Sequence, residues 1–147
     1  MLFVGLRSLM ASALASGAAF VFNRAASRGR RPGPLLAFAL GPAVEEAAKT
    51  GFALAMAAPV VLVHLGFGAV EAVYDVWGRR TSGAERASGF AAGAMSLLSH
   101  AALGILVRAV LVRTWEPLLA VTVASAAHAL WNVGMVALMG AGRRWHS

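Results

Sequence analysis

Three ionisable residues suited to acid–base chemistry stand close together inside an apolar stretch. Glu45, Glu46 and Lys49 lie in the segment GPAVEEAAK, and the flanking residues are mostly apolar. An ionisable side chain at membrane depth costs roughly 2.5–3.5 kcal/mol on insertion scales, so such residues are usually functional. Because Glu45 and Lys49 are spaced i,i+4 on one helical face, we expect Lys49 to keep one carboxylate ionised while the other acts as a general base. The alternative is a structural salt bridge in a helix kinked by Pro42.

Two further polar groups stand in later apolar segments. His128 and Asn132 are spaced i,i+4, so both side chains point to one side of a helix. An imidazole and an amide aimed at one point are suited to stabilising an oxyanion, and interhelical hydrogen bonding is the alternative. His100, with Ser96 and Gly104 on its face, is a third candidate for the same site.

The remaining ionisable residues of the apolar segments differ in their expected roles. Glu71 follows the close-packing stretch Gly66–Gly68, and we expect it to support the site. Asp75, His64 and His146 stand near segment ends or in the tail, where we expect solvated side chains.

A metal centre is an alternative to direct acid–base catalysis. Glu45, His100 and His128 could supply one carboxylate and two imidazoles to zinc and leave a fourth position open. The sequence contains no HExxH motif and no cysteine, so no local zinc motif supports this set. We therefore expect a site without a cofactor.

The composition indicates which elements must position these residues. Of the 147 residues, 59% are hydrophobic and 13% are charged, about half the charged share of a typical soluble protein. We expect one all-α integral membrane domain, residues 1–147, containing a bundle of about five transmembrane helices. The predicted spans are 2–22, 35–58, 60–77, 89–112 and 118–139.

The net charge of +7 follows from arginines clustered between the apolar segments. Basic residues with interleaved aromatic residues, as in single-strand nucleic-acid binders, are not found, so we expect no nucleic-acid partner. The positive-inside rule places the N-terminus outside and the C-terminus in the cytoplasm. The residues that would then face the cytoplasm are Arg24, Arg28, Arg30, Arg31, Arg79, Arg80, Arg86, Arg143 and Arg144.

This arrangement places the candidate residues at a common depth. Glu45 and His100 stand ten and eleven residues after the start of their predicted helices, and His128 stands eleven before the end of its own. At 1.5 Å per residue each lies roughly 15–16 Å from the cytoplasmic end, with Glu71 at roughly 9 Å. The sequence therefore predicts one shared polar site.

The order of these motifs resembles that of the PrsW-type intramembrane proteases, within the superfamily of CAAX prenyl proteases and bacteriocin-processing enzymes. The motifs are EExxK at Glu45–Lys49, FxxxE at Phe67–Glu71, the mid-helix His100, and HxxxN at His128–Asn132. They cover residues 35–139 of the chain, four of the five predicted spans.

The resemblance implies a role for each matched residue. Glu45 would activate a water molecule that His100 helps to hold, with Glu46 as a supporting acid. His128 and Asn132 would form the oxyanion hole. One departure is Ala72, where the family usually has asparagine after the glutamate of FxxxE. Members are often described as metalloproteases, although the CAAX branch resembles a metal-free glutamate mechanism.

The sequence thus predicts a glutamate-type endopeptidase in the cytoplasmic membrane of a prokaryote. Its substrate would be a membrane-embedded protein or a lipid-linked peptide, with anti-sigma factors suggested by the resemblance. The alternative is a non-enzymatic membrane protein, such as a bacteriocin-immunity-like factor or a small proton-coupled transporter.

Overall fold

The computed structural model describes residues 2–27, 33–78 and 83–144, and these residues form helices with no strand among them. The expected all-α bundle is confirmed. The five α-helices are α1 (Leu2–Ser27), α2 (Gly41–Ala55), α3 (Val60–Gly78), α4 (Gly83–Thr114) and α5 (Pro117–Arg144). A π-helical turn, Leu36–Leu40, leads into α2. His146 and the predicted cytoplasmic residues Arg28, Arg30, Arg31, Arg79 and Arg80 lie outside the described residues.

Four helices in the described ranges are long and apolar enough to cross a membrane, which supports a membrane protein. They are Leu2–Ser27, Val60–Trp77, Ser88–Thr114 and Pro117–Leu138. Their outer faces expose large apolar side chains, such as Phe3 at 76% and Leu118 at 82%, which a bilayer would cover.

The second predicted span, 35–58, does not form one such helix. Its α-helical part, α2, has 15 residues. The π-helical turn directly precedes it, so residues 34–55 form one unbroken helical stretch. Three ionisable residues lower the apolarity of α2, and it ends where Ala57 adopts a left-handed φ of 48° just before Pro59.

The short helix α2 lies inside the bundle, in contact with α1, α3 and α5. The most extensive interface joins α3 and α4, and glycines make it close. A Cβ atom added at Gly68 would lie 2.9 Å from His100 Cβ, and one at Gly104 would lie 2.8 Å from His64 Cβ. Both histidines are therefore held directly against the backbone of the neighbouring helix.

The π-helical turn explains how the chain accommodates Pro42. The Gly41 amide donates to the carbonyl of Leu36, five residues back. The next bond of this pattern would join Pro42 to the Ala37 carbonyl, but proline has no amide hydrogen. Instead Asn132 Nδ2, from α5, donates to Ala37 O at 3.3 Å. The turn thus fixes the position of α5 beside the start of α2.

Candidate active site

Glu46 is the centre of a buried polar cluster. Its Oε1 atom accepts hydrogen bonds from Lys49 Nζ at 2.6 Å and from His128 Nδ1 at 2.8 Å. Its Oε2 atom lies 3.0 Å from His64 Nε2. The Glu46 side chain is fully buried, as are those of Lys49 and His64. Three hydrogen-bond partners from α2, α3 and α5 therefore satisfy this carboxyl group away from solvent.

A second branch of the cluster runs from Lys49 through His100 to Glu71. Lys49 Nζ lies 2.9 Å from His100 Nδ1, and His100 Nε2 lies 2.7 Å from Glu71 Oε2. Because a protonated amine only donates, His100 accepts at Nδ1 and donates from Nε2. Ser96 Oγ also donates to Glu71, at 2.9 Å. Phe67 covers the branch, with its ring centroid 4.6 Å from Lys49 Nζ.

Glu45 has a different environment from its neighbour Glu46. Its Oε1 atom accepts a hydrogen bond from Asn23 Nδ2 of α1 at 3.2 Å. Its Oε2 atom lies 3.8 Å from His128 Nε2, which is too long for a direct hydrogen bond. The Glu45 side chain is 12% exposed. Of the two adjacent carboxylates, Glu45 is therefore the one with room to bind another molecule.

Two cavities flank the cluster and share Glu71 and Tyr74 as lining residues. A cavity of about 470 Å³ lies between α1 and α3, and it reaches Glu45. A cavity of about 280 Å³ lies between α3, α4 and α5, and it reaches His128 and Asn132. Glu46 lines neither of them. A molecule entering from either side would meet Glu45 or His128 before any atom of Glu46.

The structure brings the predicted site residues together, but it pairs them differently from the sequence-based expectation. Lys49 contacts Glu46, at i−3, instead of the expected Glu45. His128, not His100, has its free ring nitrogen turned toward Glu45. His100 uses both ring nitrogens within the cluster. These pairings depend on the rotation of each helix about its axis, which the spacing within one helix does not determine.

Two residues of the site were missed by the sequence analysis. His64 was expected to be solvated, but it is fully buried against Glu46 because α4 closes over it. Its spacing of seven residues from Glu71 places both on one face of α3, which is a usable signal. Asn23 stands at the end of the first predicted span, and no pattern in the sequence connects it with Glu45.

The zinc alternative does not fit this donor set. Among the described residues, no three His, Asp or Glu side chains are arranged to hold one metal ion. A histidine can ligate zinc through either ring nitrogen, but His100 already uses Nδ1 on Lys49 at 2.9 Å and Nε2 on Glu71 at 2.7 Å. Glu45, His100 and His128 therefore cannot ligate one ion together without breaking one of these contacts.

Ala72 occupies a packed position between α3 and α4. A Cβ atom added at Gly93 would lie 3.1 Å from Ala72 O and 3.3 Å from Ala72 Cβ. A side chain as large as asparagine would therefore meet the α4 backbone here.

No protein-family model matches this chain, and neither curated proteins nor solved structures give a match. The resemblance to PrsW-type proteases therefore stays a prediction that rests on the motif residues and their order.

Proposed function

We propose that this protein is an intramembrane peptidase in which Glu45 activates a water molecule to cleave a peptide bond. The observation that carries the proposal is the contrast between the two adjacent glutamates. Glu46 is enclosed by three donors, whereas Glu45 has one donor and opens into a cavity. Two carboxylates in such different surroundings can take separate roles, as acid–base sites require.

The nucleophilic water would lie between Glu45 and His128. An oxygen atom about 2.8 Å from each of two atoms makes a good hydrogen bond to both. Glu45 Oε2 and His128 Nε2 are 3.8 Å apart, so one water oxygen can lie within hydrogen-bond distance of both atoms. Glu45 would accept the proton of this water as the water oxygen attacks the scissile carbonyl carbon.

His128 and Asn132 are suited to stabilise the negative charge that develops on the carbonyl oxygen. Because His128 Nδ1 donates to Glu46, Nε2 can donate to the oxyanion only when both ring nitrogens carry a hydrogen, a positive charge that the Glu46 carboxylate would balance. Asn132 uses one amide hydrogen on Ala37 O and retains a second, and both residues line the smaller cavity. Glu45 would then pass its proton to the amide nitrogen as the C–N bond of the intermediate breaks, which releases the amine and the carboxylic acid and restores the Glu45 carboxylate.

The chemistry of the surroundings favours a substrate that belongs to the membrane. The larger cavity is lined by apolar residues such as Phe20, Phe67 and Val70, with Arg24 and Ser27 toward the end of α1. A membrane-anchored protein or lipid-linked peptide fits such walls. The resemblance suggests anti-sigma factors as substrates and the prokaryotic cytoplasmic membrane as location, and the distribution of arginines favours an N-terminus outside.

The test compares cells expressing the wild-type protein with cells expressing the variant Glu45→Gln. New peptide N-termini in membrane fractions are mapped by mass spectrometry. Loss of a general base usually lowers the rate about 10²–10⁴-fold, so the products should nearly disappear. Glu116→Gln, at an exposed position between α4 and α5, is the matched control and should cleave normally. Equal products from Glu45→Gln and the wild type would refute the proposal.

A second candidate is a proton-coupled transporter, and one observation favours it. Hydrogen bonds of 2.6–2.9 Å run without a break from Glu46 through Lys49 and His100 to Glu71. Glu71 borders both cavities, so this series of hydrogen bonds reaches each of them. In liposomes containing purified protein, a transporter would move protons down a gradient, and His100→Leu would stop this flux. A peptidase would cleave without such flux.

A further inference from the structure

We propose that His64 is a positioning residue of the site, which holds Glu46 so that His128 faces Glu45. This inference rests on the proposed function and adds to it a residue outside the motifs. His64 is buried on α3 and lines neither cavity, so it does not touch a substrate in them. Its effect must pass through Glu46.

The hydrogen bonds of His64 determine where its protons are needed. Nδ1 lies 3.0 Å from the carbonyl oxygen of Val60, which can only accept, so Nδ1 carries a hydrogen. Nε2 lies 3.0 Å from Glu46 Oε2, and one proton must lie between these two atoms. With either assignment of that proton, the ring is anchored to its own helix at one end and to Glu46 at the other.

This bond fixes the plane of the Glu46 carboxylate. With Oε2 held by His64, Oε1 is the atom presented to Lys49 and to His128 Nδ1. The bond at Nδ1 sets the rotation of the His128 ring, and that rotation turns Nε2 toward Glu45. Without His64, the Glu46 carboxyl group would lose one of its three hydrogen-bond partners and could turn away from His128.

Packing against α4 restricts the His64 side chain. A Cβ atom added at Gly104 would lie 2.8 Å from His64 Cβ and 3.1 Å from Val61 Cα. The α4 backbone therefore lies directly against the base of the His64 side chain. This close approach limits the directions that the ring can take in a close-packed interior.

The test uses two variants that separate the two bonds of His64. In His64→Asn the amide group can keep the hydrogen bond to Val60 O but is too short to reach Glu46. In His64→Gln the longer side chain can replace the hydrogen bond of Nε2 to Glu46. We expect the Asn variant to lower kcat roughly 10–100-fold with little change in KM, the size typical for residues that orient a reacting group. The Gln variant should recover most of that loss. Leu62→Ala, at a half-exposed neighbour, is the control and should leave kcat unchanged.

A second readout does not depend on cleavage. In purified protein labelled with ¹⁵N-histidine, NMR should show a strongly hydrogen-bonded His128 Nδ1 proton, assigned by its loss in His128→Gln. This signal should move or disappear in His64→Asn and return in His64→Gln. If this pattern is found while even the wild type cleaves nothing, the positioning role stands and the proposed function fails.

Two outcomes would overturn the proposal. One is a His128 signal and a kcat that are unchanged in His64→Asn. The other is an equal loss of kcat in both variants with the His128 signal unchanged, because a purely structural role would give that result. If His64→Asn does not fold in detergent, His64→Leu takes its place in the same comparison with His64→Gln.

Discussion

Replacing Lys49 by methionine removes the ammonium group that contacts Glu46 and keeps a side chain of similar length. Lys49 Nζ lies 2.6 Å from Glu46 Oε1 and 2.9 Å from His100 Nδ1, and the side chain is fully buried. We expect Lys49→Met to destabilise the folded protein strongly, because Glu46 loses its ammonium partner and His100 loses a donor.

The magnitude follows from the geometry. At 2.6 Å, two unit charges attract by about 6 kcal/mol at an effective dielectric constant of about 20. The cost of removing both ions from water cancels much of this attraction. Removing Lys49 leaves Glu46 buried without its ammonium partner, and breaking a buried ion pair in this way typically costs about 3–5 kcal/mol. For a chain of this length, each kcal/mol lowers the midpoint of thermal unfolding by about 2–4 °C, so we expect a fall of about 6–20 °C.

The assay is thermal unfolding in detergent, followed by tryptophan fluorescence, in a cycle of four proteins. These are the wild type, Lys49→Met, Glu46→Gln and the double variant. Because the double variant removes both charges, it should be more stable than Lys49→Met alone. A double variant no more stable than Lys49→Met, or a single variant that melts within about 2 °C of the wild type, would refute the assignment of a buried ion pair.

Two further predictions concern close packing and the support of the general base. Gly68→Ala should lower the free energy of unfolding by about 1–3 kcal/mol, because the added Cβ lies 2.9 Å from His100 Cβ. In the control Gly51→Ala the added Cβ has nothing within 4 Å, so this variant should be as stable as the wild type or more stable. Equal effects of the two substitutions on thermal unfolding would contradict this packing. Asn23→Ala should lower peptide cleavage roughly tenfold by releasing Glu45 Oε1, as expected for a lost hydrogen bond to a charged group; cleavage at the wild-type rate would show that α1 does not orient the base.

The membrane fold could be read from local features of the sequence. Helix α3 was expected over 60–77 and is found as Val60–Gly78, and its start follows from Pro59, which has no amide hydrogen to continue a preceding helix. The second segment was less predictable. Pro42 indicated an irregularity, but the π-helical turn also depends on Asn132, which reaches Ala37 O from a helix 95 residues away in sequence.

Much of the candidate site was also contained in the sequence. The rise along a helix is constant, so counting residues placed Glu45, His100 and His128 at one depth, and the structure brings them into one cluster. His64 could have been included through its seven-residue spacing from Glu71. The burial of His64 could not be predicted from the sequence, because it depends on Gly104 of α4 lying against it.

What the sequence alone determined is the class of fold, the approximate helices and which polar residues lie at similar depth, because all of these follow from composition and regular helical geometry. The tertiary structure decided which glutamate is enclosed and which is open. Adjacent helical residues project about 100° apart, so Glu45 and Glu46 face different neighbours. Only the packing of α1, α3 and α5 around α2 places three donors on Glu46 and leaves Glu45 beside a cavity.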